Sequence, residues 1–168
     1  CCVELHGPQA ILDKIAYTIA NCVEAGLVRS PAEWPGARVL AEDIGTRTVR
    51  VDRPMLYFDP NNSVWPARAS LRIEMPKELK SAFGDRAGEV VRAFVDSAIS
   101  AARKIARAAG KVTTSIRGLM RVPFQKRARS FEKFGSRERA FATGGDPSLT
   151  MRAKQVRAVF LAAYRAAL

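Results

Sequence analysis

The chain has 168 residues, 48% of them apolar, which is enough for one packed domain and a small appendage, and too apolar for a disordered polypeptide. No apolar run is long enough to span a bilayer, and the start lacks the basic and apolar segments of a signal peptide. Three cysteines without a Cys-x-x-Cys pair point to reduced thiols in a cytosol, and a single histidine, His6, argues against a structural zinc site.

The formal charge of +12 is unevenly placed. Residues 1–85 carry 10 Lys/Arg and 11 Asp/Glu, a net of −1, whereas residues 86–168 carry 18 and 5, a net of +13. That asymmetry points to a polyanion, with nucleic acid the leading candidate and a cytoplasmic, nucleoid-associated location. A membrane partner is not expected, because the basic helices lack a Trp/Phe-rich opposite face. Arg-rich composition from a GC-rich genome is the competing explanation.

In chain order, the first expected element is a helix from Pro8 to Ala25, with proline in the first turn where no N–H partner is needed. Ile11, Leu12, Ile15, Ile19, Cys22 and Val23 define its apolar stripe, and Gly26 supplies the left-handed stop. Ser30, Pro31 and Glu33 predict a capping box opening one short turn that Pro35 closes. Alternation over Ile44–Val51 and Leu71–Met75 predicts two short strands, able to pair with each other, around a turn-rich segment. Residues 86–109 predict a long helix with Val91, Phe94, Val95, Ala98, Ala102, Ile105 and Ala109 inward and Gly110 as stop. A loop-like stretch over 111–145 leads to Asp146 and Pro147, which predict the cap and first position of a last helix with Val156, Val159, Phe160 and Ala163 inward.

The first helix has a tyrosine on its far side. At 100° per residue the stripe centres near Ile15 and Cys22, and Tyr17 lies about 180° from it. Lys14 is one turn back and Asn21 one turn on, so an i, i+4 pair of Tyr17 and Asn21 shares one face. One reading has the Tyr17 ring packed under a neighbour with its hydroxyl in water. The other makes it a covalent nucleophile, which at neutral pH needs a cation or metal because an unperturbed phenol titrates near 10. Lys14 is a nearby cation, and the Asn21 carbonyl suits a hard divalent metal.

The segment "YTIANCVEAGLVRSPAEWPG" resembles the tyrosine helix of the REP-associated tyrosine transposases, a branch of the single-tyrosine HUH transposases. The matching positions are Tyr17, Asn21, Val23, Gly26, Leu27, Val28, Trp34 and Pro35, with Glu33 for the family's acidic residue; the match covers about residues 10–36. The resemblance implies DNA strand cleavage and transfer through a 5′-phosphotyrosine intermediate. Tyr17 would be the nucleophile and Asn21 a ligand of a divalent metal, magnesium or manganese. The family's other two ligands are a His-x-His pair on an upstream strand, which a chain with only His6 does not contain, and Cys22 replaces the family's proline. A start at Cys and an end inside a helical pattern add the expectation of a truncated, inactive copy, with a homodimer or a complementing transposase chain as partner.

Between Arg117 and Arg139 basic and aromatic residues interleave: Phe124, Lys126, Arg127, Arg129, Phe131, Lys133, Phe134, Arg137 and Arg139. Single-strand binders use that mixture, cations tracking phosphates and rings stacking on bases; the same phenylalanines equally serve as anchors to a core. Arg103, Lys104 and Arg107 on the long helix extend the phosphate-facing surface, with Lys14 beside the tyrosine. The expected fold class is α+β and mostly helical. It comprises an HUH-type tyrosine helix within 1–36, a short two-stranded element within 37–85, and a basic helical extension over 86–168. The expected function is binding of single-stranded or hairpin DNA by a transposase-family protein, with a non-catalytic nucleic-acid-binding protein as the alternative.

Overall fold

In the computed structural model, which describes residues 3–54, 56, 59, 62–123, 125 and 140–167, the chain is mostly helical with two small sheets. A two-residue strand, β1 (Glu4–Leu5), precedes helix α1 (Gly7–Glu24). Pro8 lies in its first turn, and Gly26, at φ +71°, ends it. The Gly26 amide donates to the Val23 carbonyl and the Leu27 amide to that of Cys22, so two carbonyls freed at the helix end are satisfied in a Schellman arrangement.

The following 3₁₀ turn, Pro31–Glu33, forms as expected but its cap differs. Ser30 makes no side-chain capping bond; the Glu33 carboxylate instead accepts from the Arg29 amide at 3.0 Å, one residue earlier than the capping-box pattern places it. A second 3₁₀ turn, Ala41–Asp43, is closed by the Asp43 carboxylate, which accepts from the Leu40 amide at 2.8 Å and from Arg47 Nη1 at 2.9 Å. The Leu40 N–H bond, aided by Arg47, holds the Asp43 carboxyl below its usual range. A depressed folded pKa stabilises fully above the unfolded value, and that contribution is lost as pH falls through the folded one. The difference in melting temperature between the unaltered chain and Asp43→Asn should therefore be constant from pH 5 to 7 and shrink as pH falls below the usual carboxylate range. A difference that persists in acid would contradict it.

Strands β2 (Thr48–Asp52) and β3 (Arg68–Arg72) form the antiparallel pair, with Val49 opposite Leu71 and Asp52 opposite Arg68. The ladder begins four residues later than Ile44 on the first strand. Ile44 is buried at the end of the 3₁₀ turn, and Met75 is buried beyond β3. Helix α2 (Lys77–Phe83), a 3₁₀ turn (Gly84–Arg86) and helix α3 (Ala87–Ala108) follow. Gly110, at φ +61°, stops α3 with the same two-bond pattern as Gly26, its own amide to Arg107 and that of Lys111 to Ala106.

The core lies where α1 packs on α3, with α2 against both. Leu79, Val91 and Val28 are its most completely enclosed side chains. On α1 the buried face is rotated from the expected one. Ala16, Ala20 and Val23 are buried beside Leu12 and Ile19, whereas Ile15 and Cys22 are only half-buried. Alanines let the helix backbones approach closely, and their small apolar area gives them little weight in a periodicity. On α3 the buried positions are Ala87, Val91, Val95, Ile99 and Ala102; Ile105 and Ala109, expected inward, are exposed.

The stretch read as loop contains helix α4 (Ser115–Met120) and strand β4 (Phe141–Ala142), the latter parallel to β1. Helix α5 (Pro147–Ala166) opens at Asp146, whose carboxylate accepts from the Ser148 and Leu149 amides, as the sequence predicts. Its inward face is a correction: Ala153 is buried, but Val156, Val159, Phe160 and Ala163 are exposed.

Gly144 joins β4 to α5 at φ +60°, and a Cβ there would lie 2.8 Å from the backbone nitrogen of Ala10. Its neighbour Gly145, at φ +86°, has open space at the same place. Gly144→Ala should destabilise by more than about 1 kcal/mol, and by more than Gly145→Ala, which meets the backbone strain alone. Equal losses in urea denaturation would show that the close approach to α1 carries no weight.

Candidate nucleic-acid interface

Tyr17 stands on the solvent ridge of α1, 54% exposed, although the helix is packed along neighbouring faces. The Lys14 ammonium lies 4.8 Å from the centroid of its ring, a cation–π contact that directs the charge at the ring face. Among the described residues no hydrogen bond reaches the Tyr17 hydroxyl. Asn21 is exposed one turn on, and its backbone carbonyl accepts from the Ala25 amide. The ridge therefore keeps Lys14, Tyr17 and Asn21 on one accessible line.

The metal implied by the transposase resemblance does not fit the residues around Asn21. Among the described residues no group of three His, Cys, Asp or Glu is arranged to hold an ion. His6 precedes Asn21 by fifteen positions, about 22 Å along a helix axis at 1.5 Å per residue. It caps the other end of α1, 3.5 Å from the Glu4 carboxylate and edge-on to Phe141. The two residues cannot share one ion.

The basic residues of α3 behave differently from one another. Arg103 donates from Nε and Nη2 to the Arg29 carbonyl, at 2.9 and 2.6 Å, so part of its guanidinium clamps the loop after α1. Lys104 and Arg107 are exposed. Of the other expected contacts, Phe124, Lys126, Arg127, Arg129, Phe131, Lys133, Arg137 and Arg139 lie outside the described residues, as does Phe134.

A tertiary hydrogen bond adds Lys111, absent from the expected contacts, and places Arg117, the start of the interleaved stretch. The Thr114 amide donates to the Gly26 carbonyl at 2.9 Å, which returns the chain after α3 to the end of α1. Lys111 and Arg117, both exposed, flank that contact, and Arg103 ties α3 to Arg29 three residues after Gly26. Cations far apart in sequence thus gather at the Asn21 end of α1. Only the regional net charge signalled them, because no local pattern encodes the Thr114–Gly26 bond. Across 86–168, the ion pair found among the described residues is Arg86 with Glu89, at 3.9 Å. Arg92, Lys104, Arg107, Lys111, Arg117 and Arg121 are left facing solvent.

Among the described residues no helix is long and apolar enough to cross a membrane. No family profile, curated protein or solved structure matches this chain.

Proposed function

We propose that this chain binds single-stranded DNA through its basic second half, with the phosphate path crossing the Gly26 end of α1, and that alone it does not cleave the strand. The observation that carries the reading is the Thr114–Gly26 bond, which brings the segment bearing exposed Lys111 and Arg117 to that helix end, while exposed Lys104 and Arg107 lie within a turn of Arg103, which reaches Arg29. Unpaired cations on a common surface release counterions from a nucleic-acid backbone when it binds, and this is the sequence-independent part of affinity. The interleaved phenylalanines of 117–139 favour a single strand, whose bases are free to stack.

Strand cleavage is a separate step with a separate requirement. An in-line attack by the Tyr17 oxygen on a phosphodiester would form the phosphotyrosine bond and release a 3′-hydroxyl. The phenol must lose its proton, and the charge developing on the phosphate must be neutralised. Lys14 sits over the ring rather than at the oxygen, and among the described residues the groups for a metal centre are not present together. The transposase reading therefore requires a complementing chain that brings its own histidines. The non-catalytic reading is favoured by this same pairing of Lys14 with the ring face.

Incubation of the full chain with a labelled oligonucleotide and Mg²⁺ should give a complex on a native gel and no covalent adduct on a denaturing one. Tyr17→Phe should bind within about twofold of the unaltered chain, since one exposed hydroxyl adds little to a phosphate-driven contact. An adduct formed by the chain alone and lost in Tyr17→Phe would overturn the non-cleaving assignment. Absence of any complex would overturn the binding assignment.

A further inference from the structure

Among the described residues two apolar surfaces stand open to solvent, a groove and a helix face. One is a groove of about 1170 Å³ between α1 and the β2–β3 pair, walled by Ile15, Cys22, Trp34, Val49, Leu71 and Ile73. It runs along the Ile15–Cys22 line of α1, which is half-buried at the edge of the core. Leu71, on the sheet wall, is 63% exposed.

The other surface is a face of α5. At 100° per residue Val156, Phe160 and Ala163 fall within about 60° of one another, with Val159 and Tyr164 on either flank. Val159 is 70% and Phe160 64% exposed, and the Phe160 and Tyr164 rings stack at 6.2 Å. The helix is fixed at its start by the Asp146 cap and by buried Ala153. Being continuous from Pro147 to Ala166, it holds this later face away from its own body.

We propose that two copies of this chain associate by a reciprocal exchange, the apolar face of α5 from each seated in the groove of the other. Interface area argues for two helices rather than one. A buried aromatic side chain removes about 150–250 Å² from water, so the exposed parts of Phe160 and Tyr164 offer on the order of 200 Å² per helix. With Val156, Val159 and the facing wall added, one seated helix falls short of the roughly 1,200 Å² of a stable interface, and a two-fold pair reaches it. An isologous pair also closes on itself, whereas a one-way contact would propagate into filaments.

Charge sets the salt dependence. Helix α5 carries Arg152, Lys154, Arg157 and Arg165, while the groove is lined by Lys14, Arg38 and Arg47 against Glu74. Like charges oppose the contact and apolar burial drives it, so screening strengthens association. DNA binding has the opposite salt dependence, which keeps this inference separable from the functional one.

Sedimentation equilibrium of the full chain at 50 and 500 mM NaCl tests the exchange. The expected result is a monomer–dimer equilibrium that tightens at the higher salt. Phe160→Asp and Leu71→Asp, both at exposed positions, should each weaken the dimer at least tenfold while circular dichroism stays unchanged. An equimolar mixture of the two variants retains one intact helix and one intact groove. It should give a heterodimer weaker than the original dimer but tighter than either variant alone. Three results would overturn the proposal: a monomer at both salts, association that Phe160→Asp leaves intact, or a mixture no tighter than the separate variants. Binding of α5 to phosphatidylserine vesicles at 50 mM salt, lost in Phe160→Asp and unaccompanied by dimerisation, would also overturn it in favour of a lipid surface.

Discussion

Leu79→Ala is expected to lower the unfolding free energy by about 2–5 kcal/mol, the cost of deleting a fully enclosed leucine whose surroundings cannot collapse. Leu79 lies on the short helix α2, which packs against both α1 and α3, so no single element can shift to fill the space. For a domain of this length each kcal/mol moves the melting temperature by about 2–4 °C, giving a fall of roughly 4–20 °C. Ile105→Ala makes the contrasting control. It lies on the expected apolar face of α3 but is 68% exposed, and its loss should stay within about 0.5 kcal/mol. A large effect at Ile105 and a small one at Leu79 would mean that the α1–α2–α3 core is wrongly placed.

Removing three cations at the Gly26 end of α1 should have the largest effect on DNA binding. Each phosphate neutralised on a single strand contributes about −0.7 to the slope of log K against log salt. The triple variant Lys104→Ala, Arg107→Ala, Lys111→Ala should flatten the slope by about 2 and weaken binding at 50 mM salt on the order of a hundredfold. These side chains are exposed, so folding should be unaffected. Arg103→Ala differs, because its guanidinium also holds the Arg29 carbonyl: affinity and stability should fall together.

What the sequence made legible was local. Gly26 and Gly110 end their helices as predicted because a left-handed residue satisfies the last carbonyls within a few positions. Asp146 caps α5 for a similarly short-range reason. The β2 and β3 strands were legible from alternation, which left their pairing open, and their limits moved because a 3₁₀ turn takes up Ile44. Features set by distant contacts were not legible. The rotation of α1 depends on Ala16 and Ala20 meeting the α3 side, which no stripe of large residues announces. The apolar positions of α5 were read as core, but apolar spacing marks a face without saying whether the same chain covers it.

The candidate site divides the same way. That Tyr17 and Asn21 lie off the core followed from the helical angle, and both are exposed. The distance of His6 from them followed from helix length. The convergence of Lys111 and Arg117 on the end of α1 did not, because it depends on one long-range hydrogen bond from Thr114.

The most direct measurement is fluorescence anisotropy of a labelled single-stranded oligonucleotide titrated with the full chain between 50 and 200 mM salt. With four to six phosphates neutralised, the slope of log K against log salt should be about −3 to −4, a loss of affinity on the order of a hundredfold across that range. Binding that is absent, or that holds its strength across the range, would contradict the assignment of the basic half to DNA.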